Sequence, residues 1–563
     1  MTSSSDRASY SLRLDRLTDR CRSGWTVIRT RGPNQAQFWI ISLLVGIAAG
    51  TAALFFRKGI EALQAFLYRS DDITLLHSWA GGLPWFWVLA IPAFGGLAVG
   101  LILHAFTPDG RVRSVADVIH GAALNGGRVE GRAGLASAAA SFITLSTGGS
   151  SGREGPVVHL AAVLSSRVLK WLKADAITGR DLLGCAVAAA VSASFNAPIA
   201  GALFALEVVL RHFAIHAFAP IVIASVAGTV INRLEFGGVT EFTLPTASVF
   251  QFYQELPAFL LLGAVCGIVA GALMRAIFAA EDIASHIQAR TGFPRYMRPA
   301  VAGVLLGLIA IWFPHIIGVG YETTSLALTG RVGMWEAIGF AVIKTVAVAI
   351  TIGGRMGGGV FSPSLMLGAL TGLSFGLIAT SVFPEVSGSS SLYALAGMGG
   401  VAAAVLGAPI STTLMIFELT GDWATGLAVM VTVSISTAIG TRLVDRSFFL
   451  TQLERRGMHL AAGPQAYLLS LFRVSDIMRR PDHDRAAPEA RCWELIEEGS
   501  YLDAQATLET ALPAFDRTGA AFLPVVQLTS ADQPPDLLGA VYHVDALRAY
   551  NRALAATAAE EHS

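Results

Sequence analysis

The chain has 563 residues, of which 53% are hydrophobic and only 14% are charged. This composition is typical of a membrane protein with many spans and excludes an ordinary soluble enzyme. The formal net charge is zero, which argues against nucleic acid as a partner, and the four scattered cysteines have the spacing of neither a metal site nor a disulfide framework.

The N-terminal 35 residues are polar and rich in arginine, and the first apolar run begins near Phe38. Because arginine and lysine concentrate on the cytoplasmic side of membrane proteins, the N-terminus is predicted to be cytoplasmic.

Apolar segments then follow one another as far as Arg442, and many are short or interrupted by glycine or proline. The clear ones are Phe38–Phe56, Trp85–Phe106, Leu182–Ala193, Pro198–Leu210, Phe218–Ile231, Leu256–Ala280, Val301–Phe313, Ala337–Ile352, Pro363–Val382, Leu392–Leu406 and Gly426–Gly440. Irregular backbone at membrane depth is tolerated only where protein or a water-filled cavity surrounds it. The pattern therefore favours a transporter or channel core over a bundle of straight spans.

Two glycine-rich signatures, Gly152–Pro156 and Gly357–Pro363, each place a proline where a helix can start. A helix that begins inside a membrane presents unpaired N–H groups and a positive dipole end, so two such ends predict an anion site. The first signature also carries Glu154, whose carboxylate would compete with a bound anion until it is protonated. Burial and a nearby anion both disfavour the charged carboxylate, so proton binding and anion occupancy are expected to be linked.

The sequence also contains an internal repeat. Asn196–Ile199 recurs as Gly407–Ile410, and the same offset relates Glu207 to Glu418. Such repeats with paired broken helices predict a binding site between two halves, at the middle of the membrane.

After Arg446 the sequence becomes soluble in character, with predicted strands at Ala521–Val526 and Leu537–Tyr542 and a final helix at Asp545–Leu554. It reads as a small α+β module. The predicted organisation begins with a basic cytoplasmic segment at 1–35 and a membrane domain at 36–457, whose two halves cover about 36–235 and 250–450. The module follows at 464–554, and a disordered tail at 555–563.

Taken together, these motifs resemble the CLC family of chloride channels and proton/chloride exchangers, over most of residues 36–455. The resemblance implies an all-α polytopic fold with an inverted repeat of tilted, broken helices, and a homodimer with one pore per subunit. It implies Glu154 as the gate, and chloride held by backbone around Gly152, Arg153, Gly155, Val360 and Phe361. It also implies a bacterial inner membrane protein with both termini in the cytoplasm, and no required cofactor.

The sequence departs from the family pattern at two acids. Exchangers carry a second, cytoplasm-side glutamate one residue after the position of Glu207, and here that residue is Val208, which cannot hold a proton. Glu207 itself is a possible proton path, but its repetition as Glu418 favours a structural role.

Two side-chain contacts to the central anion also depart from the family. Either Arg113 or Ser114 stands at the family's central serine, and Arg113 either attracts anions at the inner mouth or is a surface arginine. The family's inner tyrosine corresponds to Phe449, which keeps the ring but lacks the hydroxyl donor. These departures most resemble the bacterial ClcB-like branch.

The leading functional prediction is a chloride channel gated by Glu154 and hence by pH, serving as an electrical shunt in the membrane. The alternatives are a proton/chloride antiporter that bypasses Val208, and a membrane nucleotide sensor with a vestigial pore. The module from Val474 resembles a single CBS repeat, for which an adenine nucleotide is the expected ligand. Apart from this, the expected partners are chloride, other small anions, protons and lipid, without metal or nucleic acid.

Overall fold

The structure is a computed structural model. It describes residues 33–70, 72–213, 215–238, 242, 252–387, 389–458, 469, 472–504, 506–527 and 536–561. Most of the predicted basic cytoplasmic segment, residues 1–32, lies outside this range.

The chain divides into two compact units, which we call the membrane unit and the C-terminal unit. The membrane unit comprises Met1–Ala122, Gly127–Leu210 and Ala219–Arg456, and the C-terminal unit comprises Ala123–Gly126, Arg211–Phe218 and Gly457–Ser563. Among the described residues, nine helices are long and apolar enough to cross a membrane. The chain is a multi-pass membrane protein.

The helices of the first half differ widely in length. They are α1 Gln35–Tyr68, α2 Leu76–Gly81, α3 Trp85–Phe106, α4 Val115–Leu124, α5 Gly131–Ser146, α6 Glu154–Leu172, α7 Ala176–Phe195, α8 Pro198–Phe204 and α9 Ile215–Phe236. A π-helical stretch, Ala205–Leu210, continues α8. Such π turns are rare and often lie at functional sites.

The helices of the second half show the same mixture of long and short. They are α10 Phe252–Thr291, α11 Arg298–Trp312, α12 Tyr321–Leu328, α13 Met334–Gly353, α14 Phe361–Val382, α15 Ser390–Leu406, α16 Pro409–Thr420, α17 Trp423–Leu443 and α18 Phe448–Glu454. Short 3-10 turns precede α2, α11 and α12.

Every predicted apolar segment lies in helical structure except for Phe313, which follows the end of α11, and Trp85–Phe106 has the predicted ends. The hydropathy pattern misses α5 and α6, because both are rich in small and polar residues and lie largely buried among other helices. An apolar sequence indicates a helix that contacts lipid, whereas a helix that contacts mainly protein need not be apolar.

Glycine residues allow some of the helices to approach each other closely. A Cβ on Gly372 of α14 would lie 2.1 Å from the carbonyl oxygen of Tyr393 on α15. A Cβ on Gly303 of α11 would lie 2.0 Å from the carbonyl oxygen of Pro92 on α3. Any side chain at these two positions would push the paired helices apart.

The C-terminal unit is a small α+β fold, as predicted. Its elements are α19 Val474–Ile477, α20 Glu489–Glu497, β1 Leu502–Asp503, α21 Leu508–Thr518, β2 Phe522–Gln527, β3 Asp536–Tyr542 and α22 His543–Glu561. The sheet order is β1-β2-β3, with β1 parallel and β3 antiparallel to β2. Leu508, Phe515, Val525 and Val541 form part of its core.

The disordered tail expected at 555–563 stays a prediction, although the final helix continues into that segment. The final helix, α22, starts at His543 and continues to Glu561. The tail contains four alanines, the strongest helix former, and no glycine or proline, so helix propensity extends α22 beyond Leu554.

Candidate anion site

The two glycine-rich signatures meet face to face near the centre of the membrane unit. Gly152 and Gly359 form an isolated antiparallel bridge, in which each N–H donates to the other's carbonyl oxygen at 2.7 Å. Gly358 has a φ of 125°, and a Cβ there would lie 2.0 Å from the hydroxyl oxygen of Ser151. Glycine at this position is therefore required for the two halves to come into contact.

Two helices start beside this bridge. Helix α6 begins at Glu154 and α14 begins at Phe361, each two residues before the signature proline. Within the described residues, neither helix has a side-chain cap at this end. Their first-turn N–H groups therefore lack intrahelical partners, and their positive dipole ends lie beside the bridge between the two signatures.

The Glu154 carboxylate lies at the start of α14. Its Oε1 accepts a short hydrogen bond from the Ser362 hydroxyl and a longer one, at 3.4 Å, from the Tyr321 hydroxyl. Its Oε2 lies 2.4 Å from where a Cβ on Gly152 would stand. Only 2% of the residue is exposed. A negative group thus occupies the place at which a helix N-terminus would bind an anion.

A cavity of about 10 Å³ adjoins this carboxylate. That volume suits one water-sized species. The cavity is lined by Val115, Glu154, Gly155, Val158, Val191, Phe204, Gly359, Val360, Phe361 and Phe449. The structure therefore brings together five of the predicted site residues, namely Glu154, Gly155, Val360, Phe361 and Phe449. Gly152 belongs to the adjacent bridge.

A larger cavity of about 560 Å³, which we call the vestibule, reaches Arg153 and Tyr321 from one face of the unit. The Arg153 guanidinium lies over the Tyr321 ring, 5.2 Å from its centroid. The Tyr321 hydroxyl also contacts Glu154, so this residue links the vestibule to the carboxylate. The predicted residue Arg153 lines the vestibule.

Glu322 and His77 form an ion pair in the wall of the vestibule, with Oε2 and Nδ1 2.9 Å apart. Burial raises the pKa of Glu322, but hydrogen bonds from His77 and Ser78 outweigh it, so the net pKa lies below the usual value. Burial and the neighbouring His77 lower the pKa of His315 to about 4. At neutral pH this wall therefore presents a carboxylate and an uncharged His315.

Arg113 and Ser114 lie just before α4, and Val115, the next residue, lines the small cavity in their place. Arg113 pairs with Asp109 at 2.8 Å and Glu130 at 3.1 Å. Burial raises the pKa of Asp109, but the hydrogen bond and charge of Arg113 outweigh it and lower the pKa overall. The Ser114 hydroxyl donates to Gln452 at 2.9 Å. Both side chains are thus engaged by other protein groups.

Glu207 and Glu418 cap each other's helices. Glu207 accepts hydrogen bonds from the backbone N–H groups of Ile410 and Ser411, at 2.9 and 2.8 Å, and from the Ser411 hydroxyl at 2.8 Å. Glu418 accepts from the N–H groups of Ile199 at 2.9 Å and of Ala200. Each carboxylate satisfies the start of the short helix in the opposite half.

The sequence prediction missed two residues of the site, Ser362 and Tyr321. Ser362 lies within the second signature, and its position one residue after the helix start was the available signal. Tyr321 comes from a separate short helix, α12, and no motif in the sequence marks it. The side chain of Val208, 6% exposed, is buried and apolar as expected.

Comparison with known proteins places these features in a family. Residues 95–441 match the family model described as "Voltage gated chloride channel". A "Putative chloride channel protein ClcB-like" from Ralstonia nicotianae is 32% identical over 395 residues, covering 69% of this chain and 90% of that protein. The "Voltage-gated ClC-type chloride channel ClcB" of Escherichia coli is 28% identical over 421 residues, covering 73% and 97%.

The fold also resembles solved structures. One is described as a slow cyanobacterial Cl-/H+ antiporter, with a TM-score of 0.66 and 19% identity over 75% of this chain and 98% of that one. At this identity the likeness concerns the fold alone, and it agrees with the fold that the family resemblance implied.

Proposed function

The chain belongs to the voltage-gated chloride channel family, in its ClcB-like branch, and from this premise we propose that it is a chloride channel gated by Glu154. Chloride would pass from the vestibule to the small cavity, held mainly by backbone N–H groups at the starts of α6 and α14. The family transports anions and does no covalent chemistry, so no enzymatic activity is proposed.

One observation carries this proposal: the Glu154 carboxylate lies at the start of α14, where it accepts from Ser362. While it is charged, it competes with chloride for the same dipole end and donors. Protonation removes the charge and with it the competition. Anion flux should therefore increase as the pH on the vestibule side falls.

The test is chloride flux into liposomes at several pH values, for wild type and Glu154→Gln. Glutamine keeps the size of the side chain but cannot carry the charge, so flux should be high and independent of pH. Glu385→Gln, at an exposed loop glutamate, is the matched control and should keep the wild-type pH response. A normal pH response in Glu154→Gln would refute the assignment of the gate.

A second candidate function is proton/chloride antiport, favoured by the structural likeness to a Cl-/H+ antiporter. It requires a proton route that avoids Val208. Recording chloride and proton movement together under an imposed chloride gradient separates the two functions. Protons driven uphill at a fixed ratio to chloride would establish an antiporter, and chloride flux without protons would establish a channel. Absence of any flux would favour the sensor with a vestigial pore.

The assembly and location follow the same premise. We propose a homodimer in a bacterial inner membrane, with one pore per subunit and both termini in the cytoplasm. Ile199, Val230, Ile410 and Met430 lie exposed on the short and neighbouring helices of both halves and offer an apolar surface for a second copy. Adenine-nucleotide binding by the C-terminal unit stays a prediction, which calorimetry with ATP and AMP can test.

A further inference from the structure

A second large cavity, of about 900 Å³, lies away from the anion site. It opens where three helices begin or end: α3 ends at Phe106, α5 begins at Gly131, and α11 begins at Arg298. We call it the interface groove. All of these elements belong to the membrane unit. Nothing in the proposed transport function uses this groove.

The groove carries positive charge from two exposed arginines. Arg132 and Arg295 line it, and both are exposed. In the part of the chain that the structure describes, no carboxylate forms an ion pair with either arginine. The acid in the lining, Glu130, is already paired with Arg113 at 3.1 Å. The groove therefore favours an anionic occupant.

The charged side chains of the groove lie beside aromatic and apolar side chains. The Arg132 guanidinium lies over the Phe106 ring, 5.5 Å from its centroid, and the ring itself is 48% exposed. Leu101 and Leu135, on the same two helices, are 51% and 42% exposed. Because α3 is long and apolar enough to span a membrane, its exposed apolar face lies against lipid. The groove thus joins the hydrocarbon region to a cationic rim.

We propose that the interface groove binds the headgroup of an anionic phospholipid. Guanidinium groups recognise phosphate oxygens with two parallel hydrogen bonds, and Arg132 and Arg295 supply two such groups. The acyl chains would lie along Phe106 and Leu135. A soluble phosphate compound would match the arginines but would leave this apolar wall without a partner. The observations therefore favour a lipid over a free anion.

The position of the groove along the chain agrees with this assignment. Helices α1 and α3 are successive candidate spans, so the end of α3 is expected on the side of the membrane at which α1 begins. The arginine-rich N-terminal segment precedes α1. By the positive-inside rule this face is cytoplasmic. Cytoplasmic leaflets carry anionic lipids, which basic residues near the surface attract.

The test measures lipid binding by the purified full-length protein in detergent, using native mass spectrometry. The probes are phosphatidylglycerol, phosphatidylcholine and inorganic phosphate. The double variant Arg132→Gln/Arg295→Gln should bind phosphatidylglycerol about 30-fold more weakly than wild type, since each basic residue near a membrane surface adds about fivefold. Arg290→Gln, an exposed arginine at the end of α10 outside the groove, is the matched control and should bind as wild type does.

A second variant separates charge from folding damage. Arg132→Lys/Arg295→Lys keeps both charges but loses the two-bond geometry, so its affinity should lie between wild type and the glutamine variant. The proposal is overturned if the lysine and glutamine variants bind equally weakly, or if Arg290→Gln weakens binding as much as the double variant. It is also overturned if phosphatidylcholine binds as well as phosphatidylglycerol. Competition by inorganic phosphate at equal concentration would assign the groove to a free anion instead.

Discussion

Replacing Glu207 by glutamine tests whether this residue moves protons or holds the two halves together. The structure offers an unusually close control, because Glu418 plays the same part in the other half. Each carboxylate accepts hydrogen bonds from two successive backbone N–H groups at the start of the opposite short helix. If the role is structural, Glu207→Gln and Glu418→Gln should behave alike.

The size of the effect follows from the contacts. Glutamine presents one oxygen and one NH2 group, so the NH2 of the Glu207→Gln side chain must face an N–H donor or turn away from it. Losing one charge-assisted hydrogen bond costs about 1.5–3 kcal/mol, and losing the charge at a helix start costs a further ~0.3–1 kcal/mol. Each variant should therefore lose about 2–4 kcal/mol of the free energy of unfolding. Because both carboxylates hold α8 against α16, the double variant should deviate from additivity by about 0.5–3 kcal/mol.

The assay has two parts: unfolding in mixed detergent micelles, and chloride and proton movement in liposomes with the folded fraction of each variant. We expect equal stability losses and an unchanged ratio of proton to chloride movement. The structural interpretation would be refuted if Glu207→Gln abolished proton movement at wild-type stability while Glu418→Gln did not. That outcome would make Glu207 the proton route around Val208 and would support the antiporter.

Two further predictions concern the bridge between the halves and the vestibule wall. Gly358→Ala should cost about 3 kcal/mol or more, because the new Cβ meets Ser151 and the φ is unsuited to alanine. Gly339→Ala, on α13 with nothing within 4 Å of a Cβ, should stay within about 1 kcal/mol of wild type in the same unfolding assay. Glu322 lies outside the nine candidate spans, and its pKa in the folded protein is below the usual 4.5. Its carboxylate therefore stabilises the fold above pH 4.5, and this stabilisation is lost as the pH falls through the lower pKa of the folded state. The thermal midpoint of wild type should fall as the pH is lowered below about 4.5. Glu322→Gln should flatten that dependence; an unchanged slope would show that the contact with His77 contributes nothing.

The sequence predicted long lipid-facing helices well and short buried ones poorly. Trp85–Phe106 was predicted correctly because its apolar run is continuous and is bounded by Pro84 and Thr107. Helix α10 extends beyond the predicted Leu256–Ala280 at both ends, because polar and charged turns continue it outside the apolar region. Helix α5 was missed because alanine, serine and glycine pack against protein and give no strong hydropathy signal.

The repeat was visible in the sequence, but the cross-capping was not. Spacing shows that Pro198 corresponds to Pro409 and Glu207 to Glu418. It does not show which elements of the two halves face each other, and only the fold places each glutamate at the other half's helix start. When two repeats are inverted relative to each other, the same position of each repeat can contact the same element of the opposite half. The repetition of Glu207 was therefore the only sequence signal of this contact.

The residues that line the small cavity bear on the mechanism of transport. The side chains that line it are apolar at Val115, close to the family's central serine position, and at Phe449, where the family has a tyrosine. Val208 likewise replaces a protonatable group along the expected proton route. An anion in this cavity would be held by backbone N–H groups and helix ends, without a hydroxyl from either position. An anion held without these hydroxyls would be retained more weakly, and Val208 cannot carry a proton. Both points favour rapid conduction over tight exchange, and for that reason we place the channel before the antiporter.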